Sequence, residues 1–322
     1  MAMSESKGLL RSGLAMVGSN KRYVIWFWLL NLVLAEFGVI AFRMQAQSIL
    51  DHSLYSGGLT HGFDAGVLIE MLARPEFGSM SAVTSPAFGF ATLFFLATAL
   101  LLPGVFQGYA SNYRLPREDF FQACGRNLWR FVRLLIVSGV VIGVVAGALF
   151  GARAGIIKAA GENTSELLPV QLGMTALALI VVVMTILRSV FDLAEADVVL
   201  NDQGAVRRSI GAGFRHAFRS IFRITGSYLV IWLLASLAMV VGLWVWNALV
   251  PPASVPGAFV VGQLTLLITL AARFWQRGVA VAYWQQQMVA PVVRPVVPVM
   301  PAPVAPVVFE PPLPAGPSTM QS

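Results

Sequence analysis

Ser138–Gly155 reads SGVVIGVVAGALFGARAG, with glycine at every fourth position: Gly139, Gly143, Gly147, Gly151 and Gly155. In water glycine is the poorest helix former after proline, because its backbone loses the most entropy on ordering. Yet the stretch carries no charge before Arg153. Such a run is read as a membrane-spanning helix. In lipid, helices gain nothing by hiding apolar surface and associate through close backbone approach. Each four-residue step drifts by about 40°, so the bare ridge winds round the helix and favours a right-handed crossing. Packing against a neighbouring helix of the same chain is the first expectation, and self-association through the same face the second. A pore built from several copies is the third, and it lacks a ring of polar side chains to mark a conducting path.

The rest of the chain agrees with a lipid solvent. Of its 322 residues 57% are hydrophobic and 11% charged, which excludes an ordinary soluble domain. Apolar runs at 23–42, 87–109, 131–151, 170–191, 224–250 and 258–283 are each long enough for a hydrocarbon core about 30 Å thick. The first, YVIWFWLLNLVLAEFGVIAF, follows Lys21 and Arg22. It is too long for a signal-peptide core, has no small-x-small cleavage site after it, and is kept as an anchor. Cys124 is the single cysteine, so no disulfide forms within the chain.

The net charge of +7 is a topology signal. Lys7, Arg11, Lys21 and Arg22 precede the first span. Arg114, Arg117, Arg126 and Arg130 lie between the second and third, and Arg207, Arg208, Arg215, Arg219 and Arg223 between the fourth and fifth. The alternate loops hold mainly Asp51, Asp64, Glu70, Glu76 and Glu162, Glu166, with Arg74, Arg153 and Lys158. Positive loops stay inside, so both termini are expected in the cytoplasm, and nucleic acid is not an expected partner. The organisation expected is an N-terminal cytoplasmic segment (1–22), a six-span helical domain (23–287, outer loop about 43–86) and a disordered, extended Pro-rich tail (288–322).

Two basic segments have helical amphipathicity. In PREDFFQACGRNLWRFVR, Phe120, Phe121, Cys124, Leu128 and Phe131 share one face and Arg126, Arg130 and Arg133 the other. In RRSIGAGFRHAFRSIFR, Ile210, Phe214, Phe218 and Ile221 oppose Arg208, Arg215, Arg219 and Arg223. Both are expected along the membrane surface, with arginines on anionic head groups. GRNLWRFVRLL, GFRHAFRSIFRIT and the fainter GLLRSGLAMVGSNKR suggest three copies of one unit, a surface helix followed by a transmembrane hairpin. In the outer segment Asp64 reads as an N-cap, Phe63 as a staple onto Leu68 and Pro75 as a stop, which predicts one short helix.

Several polar residues invite chemistry. Glu36 lies inside the first span, where a carboxylate suggests proton coupling by default. Depth matching nominates Gln263 as its partner, with Arg43 two turns on; the plainer reading is a carboxyl that fixes helix register. Arg188 and Asp192, with Arg273 and Arg277 at similar depth and Glu195 and Asp197 nearby, predict a buried ion network locking spans four and six. A site for an anion is the weaker alternative. DHSLYSGGLTHGFD offers Asp51, His52, His61 and Asp64 as metal ligands, but Asp64 has a capping role and the spacing matches no helical pair. No metal or cofactor is expected. His216 reads as an interfacial side chain, and Asn163 fits a glycosylation acceptor by pattern only. There is no GxxxxGK[ST], HExxH, nucleophile elbow or GxGxxG after a strand.

FDLAEADVVLNDQGAVRRSIGAGFRHAFRSIFRITGSYLVIWLL, LDHSLYSGGLTHGFDAGVLIEMLARPE and FFQACGRNLWRFVRLL resemble a group of uncharacterised six-span bacterial membrane proteins. The resemblance covers most of the chain except the tail. It implies a bacterial inner-membrane location and brings no activity, since the group carries none. Glu195 stands where a basic residue often follows the Asp-x-Ala element in that group, so a salt-bridge role for Asp192 is not carried over. The functional expectation is a non-catalytic scaffold or assembly component that binds a bilayer with anionic head groups. Its partners would be membrane proteins, or a second copy met through the glycine ladder. The alternative is a small-solute or ion transporter or channel using Glu36 and the Arg188/Arg273 region. An enzyme acting on lipid head groups through His52 and His61 is weaker than either.

Overall fold

The computed structural model describes residues 2–50, 80–111, 113–161, 167–251 and 254–289. They form eight α-helices and no strand: α1 (Ala2–Ser19), α2 (Lys21–Leu50), α3 (Met80–Ala110), α4 (Arg117–Gly161), α5 (Leu167–Leu200), α6 (Val206–Arg219), α7 (Ile221–Leu249) and α8 (Val255–Val289). Six of these, α2, α3, α4, α5, α7 and α8, hold stretches long and apolar enough to cross a membrane. The outer helix expected at 64–75, Asn163 and the Pro-rich tail lie outside the described residues.

Where a basic segment meets a span, the local sequence decides whether the helix breaks. The amide of Asn20 bonds to the carbonyls of Met16 and Val17, and its side chain reaches Met16 O again at 3.2 Å, ending α1. Ser220 ends α6, its N–H on His216 O at 3.1 Å and its hydroxyl 3.3 Å from that of Tyr283. Such polar side chains compete for backbone partners and so favour helix ends. The corresponding stretch of α4, LWRFVRLL, has none, and α4 runs unbroken for 45 residues. That is about 68 Å at 1.5 Å per residue, twice a hydrocarbon core. The segment expected as a separate surface helix is therefore the first third of a longer one.

Three helices, α3, α5 and α8, touch one another in the middle. Around them α2 sits between α3 and α8, α4 between α3 and α5, and α7 between α5 and α8. α1 lies on α8 and α6 on α5, while the start of α4 lies on α3. The core is concentrated at the end where these basic segments gather, and includes Tyr23, Phe27, Phe106, Phe120, Phe131, Leu193, Tyr228, Phe274 and Tyr283. Towards the other end large apolar side chains turn outwards: Phe37 is 54% exposed, Val144 67% and Leu237 59%. So much apolar surface is what lipid, and not water, tolerates.

The closest helix contacts are made by glycines outside the ladder. A Cβ on Gly13 would stand 2.8 Å from Val279 N, and one on Gly278 2.8 Å from Gly13 O, so α1 and α8 cross backbone to backbone. Gly213 brings α6 onto α5, where a Cβ would stand 2.5 Å from Val190 O. Gly104 receives the Phe120 ring and Gly108 the Tyr23 ring. By contrast, none of Gly139, Gly143, Gly147, Gly151 and Gly155 has any described neighbour within 4 Å of an added Cβ. The expected intramolecular contact through the ladder is thus not made among the described residues. α4 uses a neighbouring line instead: Arg153 Nε donates to Gly173 O at 3.1 Å, and Ile157 fills the space above Gly173. Spacing shows that a ridge is bare, whereas dispersion is gained as well by a large side chain entering one opposed glycine.

This contrast sets an order of tolerance. Gly13→Leu or Gly213→Val should destabilise the detergent-solubilised protein by about 1–3 kcal/mol through overpacking. Gly147→Ala should leave it unchanged within about 1 kcal/mol. Thermal unfolding of the three variants checks the ranking, and a ladder substitution that proves the most damaging reverses it.

Candidate functional site

The most concentrated polar chemistry lies where α5, α7 and α8 meet. Asp192 is fully buried, and a carboxylate there is costly unless protein groups replace its water. Arg273 supplies a two-pronged contact, with one terminal nitrogen 2.9 Å from Oδ2 and the other 2.7 Å from Oδ1. Tyr228 donates its hydroxyl to Oδ2 at 3.0 Å. Arg188, one turn earlier on α5, brings Nε to 3.4 Å from Oδ1. Gln276 fixes the Arg273 fork by accepting from it at 2.8 Å. One carboxylate thereby ties three helices together, and the planar guanidinium makes the tie directional.

One turn further towards the basic end, Glu195 and Arg277 are 1% and 5% exposed. Glu195 Oε2, Arg277 Nε and the hydroxyl of Tyr109 are buried without a hydrogen-bond partner among the described residues. These three side chains come from α5, α8 and α3, one from each central helix, and both Glu195 and Tyr109 lie in the field of Arg277. Arg277 also lies over the Phe274 ring at 5.3 Å. Asp197 turns away from this group and accepts from Asn201 at 2.6 Å.

The other sequence candidates disperse. Glu36 is exposed on the outside of the bundle and makes no hydrogen bond or ion pair among the described residues, and Arg43 is exposed as well. Gln263, nominated as the partner of Glu36, accepts instead from Trp28 Nε1 at 3.1 Å. Depth matching gives height along a helix but not the direction round it. Asp51, His52, His61 and Asp64 fall outside the described residues, among which no group of three or more His, Cys, Asp or Glu is assembled to hold a metal.

Arg126, Arg133, Arg208, Arg215 and Arg219 are exposed at the basic end. Arg130 pairs with Asp202 at 2.6 Å, and Arg223 donates to Gln286. The bond from Arg130, with Arg126 nearby, holds the Asp202 carboxyl below the usual carboxylate range. α6 docks on α5 through the small residues Ser209, Gly213 and Ala217. Its aromatic flank, Phe214 and Phe218, is exposed with the rings stacked at 6.1 Å. In the start of α4, Phe120, Cys124 and Phe131 are buried while Phe121 is 57% exposed. His216, expected at the interface, faces α8: Nδ1 is 3.2 Å from the Tyr283 hydroxyl, and the ring packs on Trp284 at 4.6 Å.

Tyr228 and Gln276 at the Asp192 junction were not signalled by pattern, since each is one polar side chain in an apolar run. Trp275 Nε1, bonded to Leu10 O at 2.8 Å, staples the small helix α1 to α8, and Trp284 Nε1, bonded to Leu193 O at 2.9 Å, ties α8 to α5. Tryptophans near a span's end are the one available hint of such contacts.

Six helices of membrane-crossing length, with their apolar faces turned outwards, define a multi-pass membrane protein. The chain matches no family model, no curated protein and no solved structure. Its site is therefore read from geometry.

Burial lowers the His216 pKa from its ordinary 6.5, and Arg219 lowers it further. The folded state thus favours the neutral ring. The stability this gives is present above the unfolded value and is lost as pH falls through the lowered folded value. The unfolding midpoint in detergent should fall on acidification below about pH 6.5. His216→Gln should flatten that part of the profile, and a profile identical in the two proteins would remove the role given to this ring.

Proposed function

We propose that this chain is a non-catalytic component of a bacterial inner membrane, with both termini cytoplasmic, that scaffolds other proteins at its basic end. The observation carrying this reading is that the buried charges lock helices together exactly where the basic segments gather, while Arg126, Arg133, Arg208, Arg215 and Arg219 face outwards from the same end. Exposed aromatics stand among them: Phe121, Trp129, Phe214, Phe218 and Phe222. Rings at acyl-chain level and guanidinium groups at phosphate level suit helices lying on an anionic membrane surface.

The same reading makes the bundle three related units, each a basic helix followed by a hairpin. Its support is the shared register of α1 and α6. Leu9, Gly13 and Val17 are buried as Ser209, Gly213 and Ala217 are; the helices end at Asn20 and Ser220; Tyr23 and Phe27 are buried beyond the break, as are Ile224 and Tyr228. In the third unit Phe120, Cys124 and Asn127 occupy the comparable face of an unbroken helix. Each first helix of a hairpin lies outside and each second helix inside, as three repeats about an axis would require. A collar of three similar basic elements is a platform for binding, with nothing in it arranged for bond-breaking.

The transporter reading has less to rest on, because Glu36 faces outwards and Gln263 is engaged by Trp28. A photocrosslinking side chain placed at Arg126 or Arg215 in native membranes should give discrete protein adducts. They should weaken when Arg208 and Arg219 are changed to Gln. Adducts to lipid alone would remove the scaffold reading, and solute flux in liposomes that is abolished by Glu36→Gln would mark a transporter instead.

A further inference from the structure

Beside the Asp192 junction the bundle leaves a groove of about 360 Å³ that opens to its outside. Arg188, Arg273 and Gln276 form its polar end, and Leu177, Met184 and Trp232 are among its apolar walls. The volume falls within the range of small-ligand sites, about 300–1,000 Å³.

The charges at the polar end do not balance. Arg273 and Tyr228 take the short contacts to both Asp192 oxygens. Arg188 is left with its 3.4 Å approach through Nε, and its terminal nitrogens have no hydrogen-bond partner among the described residues. With Glu195 and Arg277 one turn away and in the same field, three guanidinium groups face two carboxylates, and the Arg188 side chain is still 33% exposed. An anion would complete this arrangement through the planar donors that guanidinium presents to phosphate. Among the described residues no carboxylate lines the groove, so an ammonium group would find no counter-charge there.

Depth specifies the rest of the ligand. Arg188, Tyr228 and Arg273 each lie about 20 residues, roughly 30 Å, from the opposite ends of α5, α7 and α8, which is one hydrocarbon thickness. They therefore stand at head-group level on the basic side. Leu177 lies roughly 17 Å deeper along α5. A free anion would leave the apolar walls bare, and a purely apolar molecule would leave Arg188 unanswered. We infer that the groove between α4, α5, α7 and α8 seats one acidic phospholipid, its phosphate on Arg188 and Arg273 and an acyl chain along α5 between Met184 and Leu177. This rests on the membrane-spanning reading of the chain, and on no particular partner or transported solute.

The test uses the full chain in mild detergent micelles doped with phosphatidylglycerol carrying brominated acyl chains, which quench nearby indoles. The Trp232 contribution is taken as the difference between the wild-type chain and Trp232→Phe. It should be quenched saturably, with half-saturation at least about tenfold lower than for brominated phosphatidylcholine. Arg188→Gln should raise the half-saturation by a similar factor. Val181→Phe, which fills the apolar wall and leaves every charge in place, should abolish the quenching and keeps the test open if the arginine variant does not fold. Equal quenching by the two lipids, or no change in either folded variant, would mean ordinary surrounding lipid and would overturn the site. Displacement by inorganic phosphate alone would overturn it in favour of a free-anion site. An alkaline wash of native membranes separates the two levels: release of the chain without detergent sinks the membrane reading, whereas retention without lipid selectivity sinks only the groove.

Discussion

A carboxylate enclosed by helices in a bilayer has no water to turn to, and Asp192 is in that position. Its two oxygens must be satisfied by side chains from other helices, which fixes those helices in height and in rotation. The fork of Arg273 aligns α8 with α5, and the hydroxyl of Tyr228 adds α7. Once that register is set, Gly278 comes level with Gly13, and Val190 and Ala194, on the same helix as Asp192, come level with Gly213, so that α1 and α6 can dock at backbone distance. The indole of Trp275 closes the α1 contact by reaching Leu10 O, and that of Trp284 adds a further tie between α8 and α5 at Leu193 O. Lipid gives little drive for helix association, so a directional polar tie with close-packed glycines beside it is a physically economical way to hold such a bundle.

Part of this was legible in the sequence, and for definite reasons. The six apolar helices follow from length and composition, because backbone groups in lipid must be satisfied within a helix. The meeting of Asp192 with Arg273 followed from equal depth, and here the rotation happened to agree. For Glu36 and Gln263 it did not: the amide is turned to Trp28 and the carboxyl to the outside. For packing within the chain, the glycine ladder was misleading for a related reason. Its period identifies a face without naming a neighbour, whereas Gly13, Gly213 and Gly278, which make the tight crossings, follow no period at all. In α6 the sequence pattern separated an aromatic face from a basic one but did not single out the line of Ser209, Gly213 and Ala217 that docks on α5 and leaves Phe214 and Phe218 exposed.

The two ends of the bundle divide its physical tasks. The basic end contains the core, the ion pairs among the described residues and most of their exposed arginines, and it is there that the scaffold reading and the lipid groove converge. Arg188 belongs to both settings, since it helps to neutralise Asp192 and borders the groove. A phosphate seated there would complete the charge balance of the junction, so lipid composition and helix register would be linked through one side chain. Towards the far end the described residues present mainly apolar surface, whose requirement is a bilayer of suitable thickness.

The central claim is that the Asp192–Arg273 tie sets the register of the bundle. A double-mutant cycle in detergent unfolding, with Asp192→Asn, Arg273→Gln and the pair together, measures it most directly. Removing the carboxylate alone leaves two half-buried guanidinium groups unmatched and should cost about 2–4 kcal/mol, somewhat less than for a fully buried pair. Removing both partners should cost less than the sum of the single losses, by about 1 kcal/mol or more. Single losses that simply add would show that the two side chains do not act on each other, and the tie would then not be what holds α5 and α8 in place.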